Sequence, residues 1–390
     1  MDQNLSGSRR FLFGAIMVAF VVVAVEILLQ GYYYATVGDW LFRRVLYPIY
    51  AEDDVRCYKV KPDFTYVHRT NEFATHIYTN SQGLRTDAGH REYALEKPED
   101  IYRILLLGPS FAFGWGVEYE KTYAHILEQE IRVPGRSVEV MNLGTPSQGA
   151  EHQLCWLSKI GHQYDPDFVV LTSYGTPVPT LPSDCPEVLE CPIIEDGFLY
   201  STNPTPSKRA IAFMKRFTTV FYGWYFYNVV IAEPQATNVG KELHAGTAEP
   251  VREGEYDALA ATYIDYTRYV RQATSDDTPV AFIHIPYSFV AHPQDASRWR
   301  HMRDANAETA RPRIETDIRA LHERGIPIVH TMPEFIRRAP EERLFYWLDI
   351  HLTEAGNRVV ADAAKPVLQA IIDNPASAAT AAGRAVSSAR

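Results

Sequence analysis

The chain has 390 residues, of which 46% are hydrophobic and 22% charged, proportions that exclude wholesale disorder, a collagen-like repeat and a small disulfide scaffold. At roughly 150 residues per domain, the length allows two or three domains or one large decorated α/β domain. The 38 basic against 48 acidic residues give a formal net charge of -10, and no Lys/Arg cluster supplies the footprint that nucleic-acid binding needs, so nucleic acid is not an expected partner.

Residues 1–10 end in Arg9 and Arg10, and Phe11 to Leu29 then read FLFGAIMVAFVVVAVEILL with Glu26 as the only charge. That run is long enough to cross about 30 Å of hydrocarbon, so residues 11–30 are expected to form a transmembrane helix. Basic residues before it and Tyr32, Tyr33, Tyr34 and Trp40 after it predict a cytoplasmic N-terminus and a main domain on the periplasmic or extracellular side. A cleaved signal peptide is the competing reading, but the run exceeds a usual h-region and no small-x-small site follows. Glu26, near the far end, is given no function.

Residues 31–100 read as a connecting cap, polar and turn-rich, with strand-like alternation around Phe64 to Val67 and Phe73 to Tyr78. From residue 101 the pattern changes. RILLL from Arg103, VEVM from Val138, FVVL from Phe168, PVAFIHI ending at Ile285 and a short run near Ile328 are apolar strands. Helical stretches separate them near Thr122 to Ile131, from Ala150, at Tyr256 to Ala273, after Pro312 in a first-turn position, and from Thr353. Continuous apolar strands alternating with helices predict a parallel sheet covered on both faces, over residues 101–372.

Residues of about 177–250 interrupt the rhythm as an insertion, proline-rich and then aromatic, with FYGWYFY at Phe221 to Tyr227. It reads as a helix packed on the domain in preference to a second membrane contact or a lid, because Lys215 and Arg216 break the apolar run. The Ala/Ser-rich tail, 373–390, is expected to be disordered. Four cysteines remain, and the spacing of Cys185 and Cys191 allows a small disulfide loop in an oxidising compartment. No metal, nucleotide or other cofactor site is indicated. His284 and His330 read as core or edge histidines, and Trp115 as core packing before sugar stacking.

Directly after RILLL comes Gly108-Pro109-Ser110-Phe111-Ala112-Phe113-Gly114-Trp115-Gly116. A small polar residue at the carboxyl end of the first parallel strand lies where open α/β sheets bind ligands. The stretch has no Walker lysine, and Tyr119 stands where a dinucleotide fingerprint needs its third glycine. Ser110 is therefore a candidate nucleophile, which requires a base and a group to orient that base. Asp349-Ile350-His351, just before the last helix, supplies both: His351 as base and Asp349 as orienting carboxylate, with Thr353 as a possible N-cap.

Ile104 to Val117 resembles the strand-loop signature of the SGNH (GDSL-type) hydrolases, in particular their membrane-anchored bacterial members. Asn80-Ser81-Gln82-Gly83-Leu84-Arg85, Asn142-Leu143-Gly144 and His351 with Gly356 and Asn357 add to the resemblance, which covers residues of about 75 to 370. It implies a flavodoxin-like three-layer α/β/α sandwich, the SGNH hydrolase fold. It also implies hydrolysis or transfer of acyl groups, often acetyl groups on glycans. In that family the oxyanion is held by the serine N–H, a second-block glycine N–H and an asparagine amide.

Here Pro109 stands in place of the family's aspartate, Ser147 in place of the second-block glycine, and Thr176 in place of the asparagine. Asp349 precedes His351 by two positions where many members have three. Two functions follow. One is a membrane-anchored serine esterase or O-acyltransferase acting on an ester of a glycan or lipid, with Ser110, His351 and Asp349 catalytic and Ser147, Thr176 and Gly144 at the oxyanion and binding site. The other is a catalytically impaired scaffold of the same fold beside a membrane-protein partner.

Overall fold

The computed structural model describes residues 7–37, 40–43, 48–69, 73–175, 185, 191–195, 197–200, 206–214, 216–226, 255–299, 306–347 and 349–374. The expected disorder of the tail falls outside these residues beyond Asn374. Helix α1 (Gly7–Val37) contains one stretch, Arg10–Ala35, long and apolar enough to cross a membrane. Its side chains are exposed from Phe11 to Val23, whereas Ala24, Glu26, Leu29, Gln30 and Tyr33 are partly or fully covered.

Two antiparallel units follow, the second of them where alternation predicted strands. Strands β1 (Tyr50–Asp53) and β2 (Cys57–Val60) form a hairpin, and β3 (Thr65–Arg69), β4 (Ala74–Thr79) and β5 (Arg85–Thr86) form a three-stranded sheet. The main sheet is built from β6 (Ile101–Leu107), β7 (Ser137–Asn142) and β8 (Phe168–Gly175). After a small hairpin of β9 (Ile193–Glu195) and β10 (Phe198–Tyr200), it is completed by β11 (Val280–Pro286) and β12 (Ile328–His330).

The order is β7-β6-β8-β11-β12 and every pairing is parallel. This is the flavodoxin-like order, which reverses direction between β6 and β8 and opens a crevice at their carboxyl ends. Helices α2 (Ser110–Phe113), α3 (Tyr123–Glu130), α4 (Ala150–Lys159), α5 (Pro206–Met214) and α6 (Thr218–Phe226) come first. They are followed by α7 (Tyr256–Ala273), α8 (Ser288–Ala291), α9 (Ala307–Glu323), α10 (Met332–Arg338) and α11 (Glu354–Asp373).

Alternate strand residues feed two separate cores, which is why the strands are continuously apolar. Leu105, Leu107, Leu171 and Phe282 pack with Trp156 of α4, Tyr263 and Tyr266 of α7 and Leu321 of α9. Ile104, Leu106, Val170 and Ile283 pack with Leu127 of α3, Phe335 of α10 and Val360 and Leu368 of α11. Burying one such side chain is worth about 1.5–3 kcal/mol, so two helix layers clamp the sheet edge that carries residues 108–110 and 142–148.

Two expectations need correction. Cys185 and Cys191 are not joined to each other: Cys57 pairs with Cys191 and Cys155 with Cys185, at Cα separations of 5.1 and 4.7 Å. Closure entropy favours short loops only logarithmically, so the fold's placement of Cys57 and Cys155 beside the insertion decides the pairing. Pro312 lies inside α9 and not in its first turn, because Asn306 caps the helix earlier by accepting from the Thr309 N–H at 2.8 Å. In the insertion, α6 begins against Glu26 of α1, whose carboxylate accepts from the Thr218 and Thr219 N–H groups.

Candidate active site

Ser110 is the first residue of α2, one turn past the end of β6. Pro109 is its N-cap at φ -76°, and the Pro109 carbonyl accepts from the Ala112 and Phe113 N–H groups at 3.0 and 3.1 Å. Proline therefore costs this turn only a donor that a helix start leaves unpaired anyway. The Ser110 N–H is one of those orphan donors and has no acceptor among the described residues.

His351 arrives from the other end of the chain on a short loop. The Phe345–Leu352 bridge and the Tyr346 N–H to His351 carbonyl bond of 3.0 Å close its base. The Thr353 hydroxyl then accepts from the Gly356 N–H at 3.2 Å and starts α11. His351 Nε2 lies 2.6 Å from Ser110 Oγ. On the opposite side of the ring, His351 Nδ1 is hydrogen-bonded to Asp349 Oδ1, which also accepts the His351 N–H at 3.0 Å. Burial pushes the Asp349 carboxyl up, but His351 opposes it through charge and two hydrogen bonds, and the net result is a pKa of about 2. A carboxylate that stays ionised fixes the Nδ1–H tautomer and leaves Nε2 facing the hydroxyl. The imidazole sits between the rings of Phe111 and Trp115, at 4.8 and 5.8 Å between centroids.

The loop after β7 supplies the second wall. Asn142 ties it to α2, since Nδ2 donates to the Ala112 carbonyl at 2.8 Å while Oδ1 accepts the Gly144 N–H at 2.9 Å. Gly144, expected at the binding site, has its N–H engaged by Asn142. Glycine provides close approach there, because a Cβ would meet the Phe113 nitrogen at 2.1 Å.

Ser147 has φ +63°, the left-handed conformation that glycine adopts without cost, so this position keeps the glycine backbone while carrying a side chain. Its N–H has no acceptor among the described residues. The loop is braced from the β1–β2 hairpin: Tyr58 Oη donates to the Ser147 carbonyl at 2.5 Å, and Tyr50 Oη makes a long 3.4 Å contact to the Pro146 carbonyl. Gln148 Nε2 donates back to the Tyr58 carbonyl at 2.8 Å. Because the Pro146 carbonyl and the Ser147 N–H share one trans peptide, holding the carbonyl on the hairpin side turns the N–H away from it.

Thr176, the third expected donor, lies just outside the described residues. The strand end that leads to it is moored: His284 Nε2 donates to the Gly175 carbonyl at 3.1 Å, and burial holds that imidazole neutral with a pKa of about 3. His284 is thus a core histidine. His330 is an edge histidine 3.0 Å from Glu315, and Trp115 is buried against His68 and Phe113.

Sequence reasoning missed the work of Arg85 and of the two tyrosines. Arg85 is fully buried and donates to the carbonyls of Phe113 at 2.9 Å and of Gly114 and Val117 at 2.5 Å, bracing the turn that follows Ser110. The signal was present in the Asn80 to Arg85 block, whose Asn80 Oδ1 accepts the Gln82 and Leu84 N–H groups and shapes the turn that presents Arg85.

No protein-family model matches the chain, and no curated protein matches it. Among solved structures, it is similar to a member of the lipolytic G-D-S-L family from Veillonella parvula, at 10% identity and TM-score 0.35, covering 67% of this chain and 96% of that one. It is similar to LAE5, an alpha/beta hydrolase from the metagenome of Lake Arreo, Spain, at 15% identity and TM-score 0.32, covering 67% and 92%. It is also similar to a two-domain esterase, CEX, active on acetylated mannans and crystallised with mannopentaose. That likeness has 14% identity and TM-score 0.34, covering 70% of this chain and 50% of the other.

Proposed function

We propose that this chain is a membrane-anchored serine esterase or O-acyltransferase of the SGNH type, acting on an acyl ester, chiefly acetyl, of a glycan or lipid. The observation that carries the reading is the unbroken hydrogen-bonded series from Ser110 Oγ through His351 to Asp349. Ser110 Oγ adds to the ester carbonyl carbon while its proton passes to His351 Nε2. The tetrahedral intermediate then expels the alcohol oxygen, which takes that proton, and leaves an acyl group on Ser110. Water, or an acceptor hydroxyl in the transferase case, gives up a proton to His351 and releases the acyl group by the reverse sequence.

The oxyanion is held by the Ser110 and Ser147 N–H groups, with the Thr176 hydroxyl as third donor. One such donor is typically worth about 2.7–4 kcal/mol of transition-state stabilisation. Arg9 and Arg10 before the apolar run support a cytoplasmic N-terminus with the sheet domain on the far side.

The rival reading is an impaired scaffold beside a membrane protein. The left-handed backbone retained at Ser147 speaks for turnover, since a decayed site has no use for a strained residue there. Fluorophosphonate labelling of the full-length protein, with hydrolysis of a short acyl ester, tests this beside Ser110→Ala. Labelling and turnover are expected only with Ser110 present, and equal signals from the two proteins would refute the proposal. Esterase activity that arises only in a Thr176→Asn, Pro109→Asp variant would establish the scaffold instead.

A further inference from the structure

Glu26 lies three positions before the end of the apolar run Phe11–Leu29, and its carboxylate is saturated with donors, four from the insertion and one from α1 itself. Oε1 accepts the Thr218 N–H at 2.7 Å, the Thr218 hydroxyl at 2.8 Å and Gln30 Nε2 at 2.8 Å. Oε2 accepts the Thr219 N–H at 2.9 Å and the Thr219 hydroxyl at 2.8 Å. These are the first N–H groups of α6, the ones a helix start leaves unpaired, so a side chain of α1 caps α6 from outside. Gln30 extends the lock by donating to the Arg216 carbonyl at 3.1 Å and accepting the Phe42 N–H at 3.3 Å.

This lock sets a depth. At about 1.5 Å per residue, Glu26 lies roughly 4–5 Å inside the end of the apolar run, and the start of α6 shares that level. Helix α6 reads TTVFYGWYF, with no charge, and at the exposed Gly223 an added Cβ would find nothing within 4 Å. Since α1 is bare from Phe11 to Val23, α6 does not follow it through the hydrocarbon.

On the preceding helix, α5, Ile211, Phe213 and Met214 are 55%, 50% and 45% exposed. From Pro206 to Phe226 the only charged residues are Lys208, Arg209, Lys215 and Arg216, all basic, in a chain of net charge -10. Exposed apolar side chains in a stretch of sequence whose only charges are basic, at the end of an apolar span, suit the boundary between anionic headgroups and acyl chains.

We propose that α5 and α6 form an interfacial element seated in the leaflet nearest the sheet domain, with lipid as its occupant and Glu26 as the group that fixes its depth. The domain then meets the bilayer at two places and cannot swing freely about α1. The inference rests on the reading of α1 as a membrane span.

The four cysteines are all disulfide-bonded, so a single added cysteine can carry a nitroxide. Full-length Gly223→Cys and Val18→Cys proteins, in nanodiscs of phosphatidylcholine with phosphatidylglycerol, are compared for collision with oxygen and with a water-soluble nickel chelate. Both labels are expected to favour oxygen. Glu26→Leu should raise nickel access at position 223 several-fold and leave position 18 unchanged, with Thr218→Val, Thr219→Val as the substitute should Glu26→Leu not accumulate. A lipid-exposed label at 18 with a water-exposed label at 223 would overturn this inference alone, whereas water exposure at both would overturn the anchor reading as well. Shielding of position 223 from both reagents would mean a protein occupant, and indifference to Glu26→Leu and to the threonine pair would remove the depth-setting role; either result overturns the proposal.

Discussion

The loops carrying Ser110 and Ser147 each hold a backbone N–H that has no acceptor among the described residues, but they are held by different means. At Ser110 the donor is an automatic product of a helix start, secured by the Pro109 carbonyl and by Arg85 beneath the following turn. At Ser147 it depends on a left-handed residue and on two tyrosines from a hairpin about 90 positions earlier in the chain. The first is written into local backbone geometry. The second is borrowed from tertiary packing, and so it can be weakened from a distance.

The largest effect should come from the pair behind Ser110: Asp349→Asn removes the tautomer control of His351 and is expected to lower kcat by about 10⁴-fold in the ester assay. The strand end leading to Thr176 offers a second contrast, since its mooring is a neutral buried histidine. His284 has a pKa of about 3 against an ordinary 6.5, so between those values the unfolded chain binds a proton that the native state refuses. Stability should therefore fall as pH falls through this window, by about 1.4 kcal/mol per pH unit for that one proton. His284→Gln keeps a donor for the Gly175 carbonyl and should flatten this slope in denaturant titrations taken at successive pH values.

Tyr58→Phe isolates the borrowed brace. It should cut kcat roughly tenfold with little change in KM, a part of what one oxyanion donor is worth, and a proportional rise in KM instead would make Tyr58 a substrate contact. The smallest effect belongs to Ser147→Gly. Relief of the left-handed penalty, about 1–2 kcal/mol, is largely offset by the chain entropy of glycine, leaving a gain near 0.5 kcal/mol in thermal unfolding with activity retained.

The sheet was readable in advance because RILLL, FVVL and PVAFIHI must be apolar on both faces to lie between two helix layers. Ser110 and His351 were readable because a strand end and a helix cap each leave a local signature. Tyr50 and Tyr58 leave none: they are ordinary strand residues whose hydroxyls matter only once the hairpin meets the 146–148 loop. Pro312 misled because a helix can begin at Asn306 and tolerate a later proline, and Cys185 misled because nearness in sequence is a weak guide to pairing across a folded domain.

The two cystine bridges are nested, with Cys155–Cys185 inside Cys57–Cys191. A chain oxidised in order of emergence would join Cys57 to Cys155 and Cys185 to Cys191, leaving the hairpin that bears Tyr58 fastened to the wrong helix. Biosynthesis must therefore hold the first thiol back until the last is made, or exchange partners afterwards. The seating of the 146–148 loop is in this way tied to the final cysteine to emerge.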